Sequence, residues 1–300
     1  MTAQSKIAFL GFGEAAQAFA GEWIAAPPGR IVAFDIKTDE PAQRDAKSAD
    51  YTRCKVAGQA TLAEALDGAG VVLSLVTAGS AEAAARQAAG HLASGALFVD
   101  MNSVSPGAKV SAASAITAAG GRYVDAAVMA PVYPQRLKVP ILVAGPHAQA
   151  GAEQLTALGF HPRAVAGEAG SAAAIKMIRS VMIKGIEALT AECILSAYAA
   201  GVEREVLASL GEDWAKRADY NLERMIVHGR RRSEEMWESA ATVRALGLGG
   251  SMAAATAAWQ ARIGTLGLAA PESLDEKVRL LLEACREAPE SPPSGAKSKA

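Results

Sequence analysis

Cysteine is scarce. Three residues in 300, Cys54, Cys193 and Cys285, stand far apart with no CxxC pair. Such a set makes neither a disulfide frame nor a zinc site and suits the reduced thiols of a cytoplasmic protein. There is no excess of charge: thirty basic side chains against thirty-one acidic ones leave a formal net charge of -1. The basic surplus expected of a nucleic-acid binder is missing. Long clean apolar runs are missing too. Residues 185–201 carry Glu187 and Glu192, and 248–261 is short and glycine-rich. Neither offers the ~20 apolar residues of a spanning helix, and the opening residues, which lead within a few positions into Gly11-Phe12-Gly13, suit a cytosolic protein and predict no secretory signal. Of the four histidines, His91, His147 and His161 fall in apparent loops or helix ends, and none has metal-ligand spacing. A metal site is therefore not expected.

What is present is apolar material for a real core, 51% of the chain, at a length that suits two domains. Short apolar runs at 7–10, 31–34, 71–76, 97–99, 123–128 and 141–144 resemble buried strands. Between most of them lie alanine-rich stretches of helix length, at 14–26, 80–92 and 108–119. Runs without period-two alternation, separated by helices, predict a doubly wound α/β domain on a parallel sheet covered on both faces. Near Gly167 the texture changes. One helical pattern covers 171–199 and stops at Gly201, and further blocks follow at 212–228, 233–246, 251–265 and 273–287. The expected organisation is a nucleotide-binding domain over 1–165, an all-helical substrate and dimerisation domain over 166–288, and a disordered Pro/Ser/Lys tail over 289–300.

Gly11-Phe12-Gly13-Glu14-Ala15-Ala16 is a GxGxxA sequence between the first strand and first helix. The first glycine permits a tight turn, and the second lets the backbone approach a pyrophosphate. The small third residue allows close helix packing, and the helix N-terminus offers its free N–H groups to the phosphates. Asp35 ends the second strand run, where a carboxylate accepts from an adenosine ribose and repels a 2′-phosphate. That favours NAD, while Lys37, two residues on, leaves NADP open.

With these residues the chain resembles the β-hydroxyacid dehydrogenase and 6-phosphogluconate dehydrogenase superfamily, in a branch like 3-hydroxyisobutyrate dehydrogenase with a short, divergent helical domain. Four motifs follow in order over nearly the whole chain. After the glycine fingerprint, Asp100-Met101-Asn102-Ser103-Val104-Ser105-Pro106 is similar to the family's substrate-binding segment. Asp125-Ala126-Ala127-Val128 is similar to its Asp-Ala-Pro-Val segment. Gly167-Glu168-Ala169-Gly170-Ser171 through Lys176 resembles the start of the helix that carries its catalytic lysine. Departures accompany the likeness. Arg179 and Ser180 stand where the family has Asn-Asn or His-Asn, Ile183 where one branch has glutamate, and Met129-Ala130-Pro131 where Ser-Gly-Gly is common. A true 6-phosphogluconate dehydrogenase is not expected.

The lysine helix has a physical reading of its own. With Lys176 as origin, Glu187 lies about 20° away, Ser180 about 40°, Arg179 about 60° to the other side and Lys184 about 80° round. Several charges on one face of an apolar helix are costly unless they meet partners or a ligand. A lysine pressed towards neutrality by desolvation and by like charges suits the removal of a hydroxyl proton. A solvated face with snorkelling lysines is the alternative.

The expectation is an NAD(P)-dependent oxidoreductase acting on a small hydroxy acid, with a sugar acid as one form. Gly11 to Ala16 hold the pyrophosphate, Asp35 the ribose, and Val76, Thr77 and Asn102 border the cofactor. Asn102, Ser103, Arg179 and Ser180 position the substrate, and Lys176 is the general acid/base. The stretch His228-Gly229-Arg230-Arg231-Arg232 predicts a basic turn paired with Glu234 and Glu235, or an arginine gripping a substrate carboxylate. Trp214, Trp237 and Trp259 suit a core or the interface of a homodimer formed through the helical domain. An imine reductase-like enzyme and a non-catalytic NAD(P)H sensor are the alternatives.

Overall fold

The computed structural model describes residues 6–287, so the expected tail at 289–300 lies outside the described residues. The sheet-bearing part runs β1 (Lys6–Leu10), α1 (Glu14–Glu22), β2 (Arg30–Phe34), α2 (Pro41–Arg53), β3 (Ala57–Gly58), α3 (Leu62–Leu66), β4 (Ala69–Ser74), α4 (Ala81–Ala89), β5 (Leu97–Asp100), α5 (Pro106–Ala118), β6 (Arg122–Val128), β7 (Pro140–Ala144), α6 (Ala148–Ala157) and β8 (His161–Ala164). Helices α7 (Ser171–Ala200), α8 (Glu203–Leu210), α9 (Trp214–Ala245), α10 (Ser251–Gly264) and α11 (Leu274–Glu287) follow. No helix among the described residues is long and apolar enough to cross a membrane.

The eight strands form one sheet in the order β3-β2-β1-β4-β5-β6-β7-β8. Successive residues of β1 point to opposite faces: Ile7 and Phe9 join a core with Phe12, Phe19, Trp23 and Phe160, while Ala8 and Leu10 join another with Leu66, Phe98 and Ile116. Burial on both sides is why the central strands are uninterrupted apolar runs. The sheet departs from the expected all-parallel form at one place, where β7 runs antiparallel to β6. The β6–β7 connection lacks the covering helix that a parallel crossover needs.

The described residues group into two compact units, one holding those up to Arg179 with Glu238–Gly250, the other Ser180–Trp237 with those from Ser251. In the second unit, Ala191, Ile194, Leu222, Met225, Ile263, Val278 and Leu281 form the core. Gly201 ends α7 at φ +69°, with its N–H on the Tyr198 carbonyl and that of Val202 on the Ala197 carbonyl. This paired closure needs the left-handed residue that glycine supplies.

The two blocks expected at 212–228 and 233–246 are one helix, α9, and the supposed basic turn lies inside it. Gly229 is there for close packing. A Cβ on it would lie 2.5 Å from the Gln260 carbonyl oxygen, and one on Gly264 would lie 2.1 Å from the Arg230 nitrogen. Two backbones meet at these glycines, so neither neighbour can give way. Gly264→Ala should therefore cost about 1–3 kcal/mol or more through overpacking. Thermal unfolding checks it, and a change below about 0.5 kcal/mol, the size of an ordinary surface substitution, would contradict so tight a crossing.

Candidate active site

The glycine loop lies where β1 passes into α1. Gly11 takes φ +83°, and its N–H donates to the Phe34 carbonyl at 2.8 Å. A Cβ there would lie 2.5 Å from the Leu75 carbonyl oxygen, so the loop is pressed against the end of β4. Gly13 is exposed and has open space where its Cβ would be. It is the N-cap of α1, with no side chain capping the helix. Backbone donors with room before them fit a pyrophosphate. Ala16 is fully buried, as close packing requires, and Glu14 is exposed beside half-buried Ala15.

Phe12 serves differently from its neighbours. Its ring is core, packed edge-on to Phe9 and beside Tyr51. Its N–H donates to Asp35 Oδ2 at 2.8 Å, and its carbonyl accepts from Lys47 Nζ at 2.8 Å and from Gln17 Nε2 at 3.1 Å. Asp35 Oδ1 accepts from the Lys37 N–H at 3.0 Å. Asp35 thus ties the tip of β2 to the glycine loop, and each oxygen keeps a lone pair for a further donor. Lys47 and Tyr51, on α2, are parts of this loop's support that the sequence reading missed.

Asn102 is buried and knits two strand ends together. Its Oδ1 accepts from the Val76 N–H at 2.7 Å, its Nδ2 donates to Ser74 Oγ at 2.9 Å, and its own N–H donates to Asp100 Oδ1 at 2.9 Å. Thr77, next to Val76, is exposed and donates to Ser80 Oγ at 3.0 Å. Ser103 follows Asn102, and here the structure joins two expected site residues: Lys176 Nζ donates to Ser103 Oγ at 2.5 Å. Arg179, exposed, donates to the Met129 carbonyl at 3.4 Å. Ser180 is buried one helical turn beyond Lys176.

The start of α7 is fixed from below. Asp125 Oδ2 accepts from the N–H groups of Gly170, Ala172 and Ala173 at 3.0, 2.9 and 3.1 Å. A carboxylate at a helix N-terminus meets both free donors and the positive end of the dipole. Fully buried Lys109 lies 3.5 Å from Asp125 Oδ1 and donates to Asp100 Oδ1 at 2.9 Å and to the Asp100 carbonyl at 2.6 Å. Tyr123 completes the group by donating to Asp100 Oδ2 at 2.8 Å. Burial, with Asp100 beside it, pushes this phenol well above its ordinary pKa, so it stays a donor. One buried polar chain therefore joins the lysine helix, the Asn102–Ser103 loop and the end of β4. Sequence offered a signal for Lys109, a cation on the stripe of α5 shared with Ala112 and Ile116.

Further down the helix, the buried charges meet protein partners. In the second unit Lys184 donates to Glu235 at 2.6 Å, although burial lowers its pKa. Glu187 takes two hydrogen bonds from Arg232, one from Nε at 3.0 Å, and one from Gln260 Nε2 at 2.8 Å. Arg232 is thus committed to Glu187, while its neighbour Arg231 makes the expected pairing with Glu235 at 3.5 Å. Among the described residues, no group of three or more histidine, cysteine or carboxylate side chains could hold a metal ion.

A largely parallel sheet, a glycine loop pressed on β4 and open donors at the head of α1 define a dinucleotide-binding domain of the Rossmann type. Comparison places it further. Residues 6–151 match the NAD binding domain of 6-phosphogluconate dehydrogenase, and residues 197–263 match a domain of unknown function, DUF1932. A conserved hypothetical protein from Sinorhizobium meliloti is 41% identical, over 94% of this chain and 97% of that one, with a TM-score of 0.73. The conserved protein MTH1747, noted for structural similarity with 3-hydroxyacid dehydrogenases, is 28% identical over 93% and 99%, with a TM-score of 0.67. Mycobacterium tuberculosis 3-hydroxyisobutyrate dehydrogenase, solved with L-serine, shares the fold at 17% identity over 93% and 99%, with a TM-score of 0.72. Among curated proteins none matches. The chain therefore belongs to one family with the conserved hypothetical protein from Sinorhizobium meliloti, and its first half is an NAD(P)-binding domain similar to that of 6-phosphogluconate dehydrogenase.

Proposed function

We propose that this protein is a dehydrogenase of a small hydroxy acid that uses Lys176 as general acid/base and prefers NAD. The observation that carries the reading is the 2.5 Å contact between Lys176 Nζ and Ser103 Oγ, which joins the loop and the helix that the family resemblance assigns to substrate binding and proton transfer. When bound, the dinucleotide supplies the hydride acceptor. Ser103 and Asn102 orient the substrate, and Arg179 and Ser180, on the same helix as Lys176, help to place its carboxylate and hydroxyl. Lys176 Nζ takes the hydroxyl proton during oxidation and returns it during reduction. The backbone from Gly11 to Ala16 holds the pyrophosphate, with Val76 and Thr77 alongside. Asp35, anchored by two backbone N–H groups, accepts from the ribose and disfavours a 2′-phosphate. The helical half, from about residue 166, forms a homodimer. Exposed Met182, Ile186 and Leu189 on one stripe of α7 suit a second copy.

The test is reduction of NAD and NADP across 2- and 3-hydroxy acids and sugar acids, with Lys176→Ala beside the wild type. Turnover with NAD is expected, and a loss of about 10²–10⁴-fold in kcat for the variant, the usual contribution of a positioned acid/base. NADH binding should be retained. A variant as fast as the wild type would remove Lys176 from the chemistry and favour an imine-reducing or sensing role.

A further inference from the structure

Glu238, in the last turns of α9, meets the loop that carries Ser103. Its Oε2 accepts from the Ser105 N–H at 2.7 Å. Ser105 is two residues from Ser103, so the two backbone positions lie within about 7 Å. A second contact brings the same helices together: Ser239 Oγ lies 3.7 Å from Met177 Sδ, and these two residues adjoin Glu238 and Lys176 in the chain. The ammonium of Lys176 thus meets one end of a short loop and the carboxylate of Glu238 meets the other.

Glu238 is half-buried, and among the described residues no lysine, arginine or histidine pairs with it. One N–H leaves an ionised carboxylate with acceptor capacity to spare, and a partly buried charge gains from a further donor. It also repels a second anion.

We propose that Glu238 is a specificity-determining residue of the Lys176–Ser103 site. It selects hydroxy acids that carry a second hydrogen-bond donor, a hydroxyl or an ammonium group, and rejects phosphorylated ones. The inference rests on the dehydrogenase reading and narrows its substrate class. The substrate carboxylate lies towards Lys176 and Arg179, and the second donor towards Glu238.

Two measurements on wild type, Glu238→Gln and Glu238→Ala test it, using three hydroxy acids of matched length: one plain, one with an added hydroxyl, one with an added ammonium. Glutamine keeps an acceptor for the Ser105 N–H and removes the charge, so it separates selection from support of the loop. In kinetics, the wild type should favour the donor-bearing acids by about tenfold in kcat/KM, near the discrimination of one charged hydrogen bond. Glu238→Gln should lose most of that ratio through KM, the ammonium acid most. In calorimetry on the NADH complex, the ammonium acid should bind the Gln variant more weakly by a similar factor. An unchanged ratio, an equal fall for all three acids, or equal binding by wild type and Gln variant overturns the proposal. Calorimetry decides even without turnover, and absent turnover with charge-dependent binding would count against the dehydrogenase reading alone.

Discussion

Lys109→Met is expected to lower the stability of the sheet-bearing unit by about 3–5 kcal/mol, the range seen when one partner of a buried ion pair is removed. Methionine fills most of the volume, so the loss is electrostatic. Lys109 is fully buried between Asp100 and Asp125, themselves 1% and 0% exposed. Without the ammonium, two carboxylates face each other inside the protein. The Tyr123 hydroxyl would still answer one oxygen of Asp100, and the N–H groups of α7 would answer one oxygen of Asp125. The second oxygen of each would lose its cation. The penalty should appear as faster hydrogen exchange throughout β5 and β6, the strands that present Asp100 and Asp125, and as a lower urea midpoint. It should also loosen the site, because Asp100 Oδ1 receives the Asn102 N–H and Asp125 holds the first turn of the Lys176 helix. A loss under about 1 kcal/mol would mean that the carboxylates reach water or other donors without Lys109, and that the buried chain does not fix the Asn102–Ser103 loop and the start of the Lys176 helix.

How far the sequence revealed this arrangement depended on the range of the contacts involved. The central strands were readable because burial on both faces leaves continuous apolar runs. β3 is two exposed residues, and β8 is His161-Pro162-Arg163-Ala164 at the edge of the sheet, so neither carries such a run. The antiparallel direction of β7 has no local signature, since Ile141–Ala144 would be equally apolar in either sense. Gly229 among basic residues looked like a helix break because its packing partner, Gly264, lies 35 residues on (264 − 229). The glycine loop and Asp35 were readable because their mechanism is local: a turn, a helix N-terminus and a strand end. Lys176 and Ser103, 73 residues apart, were paired only through the family resemblance. Glu238 meets Ser105 across 133 residues, and nothing near either residue announces the contact. Local chemistry writes itself into spacing, whereas the supports of a site are set by tertiary packing.

The two glycines of the fingerprint should respond to the same substitution in opposite ways. Gly13→Ala is expected to leave the free protein's stability within about 0.5 kcal/mol of wild type, as for an ordinary exposed substitution. Its φ of −85° and ψ of −160° suit an L-residue, and nothing lies within 4 Å of the added Cβ. That empty space is where the backbone must approach a pyrophosphate, so the methyl group should weaken NADH binding by about tenfold or more, a cost of about 1.4 kcal/mol. Gly11→Ala should damage both properties. At φ +83° the side chain imposes backbone strain of about 1–2 kcal/mol. Its Cβ would also press on the Leu75 carbonyl at 2.5 Å and on Val76 Cγ1 at 2.9 Å. Relief would have to come from the end of β4, where Asn102 receives the Val76 N–H, so the disturbance reaches the Ser103 loop. Thermal unfolding and NADH fluorescence titration on both variants separate the two roles. If Gly13→Ala bound NADH as tightly as wild type, the pyrophosphate would not lie over Gly13. If Gly11→Ala were as stable as wild type, the contact between the glycine loop and β4 would be looser than these distances require.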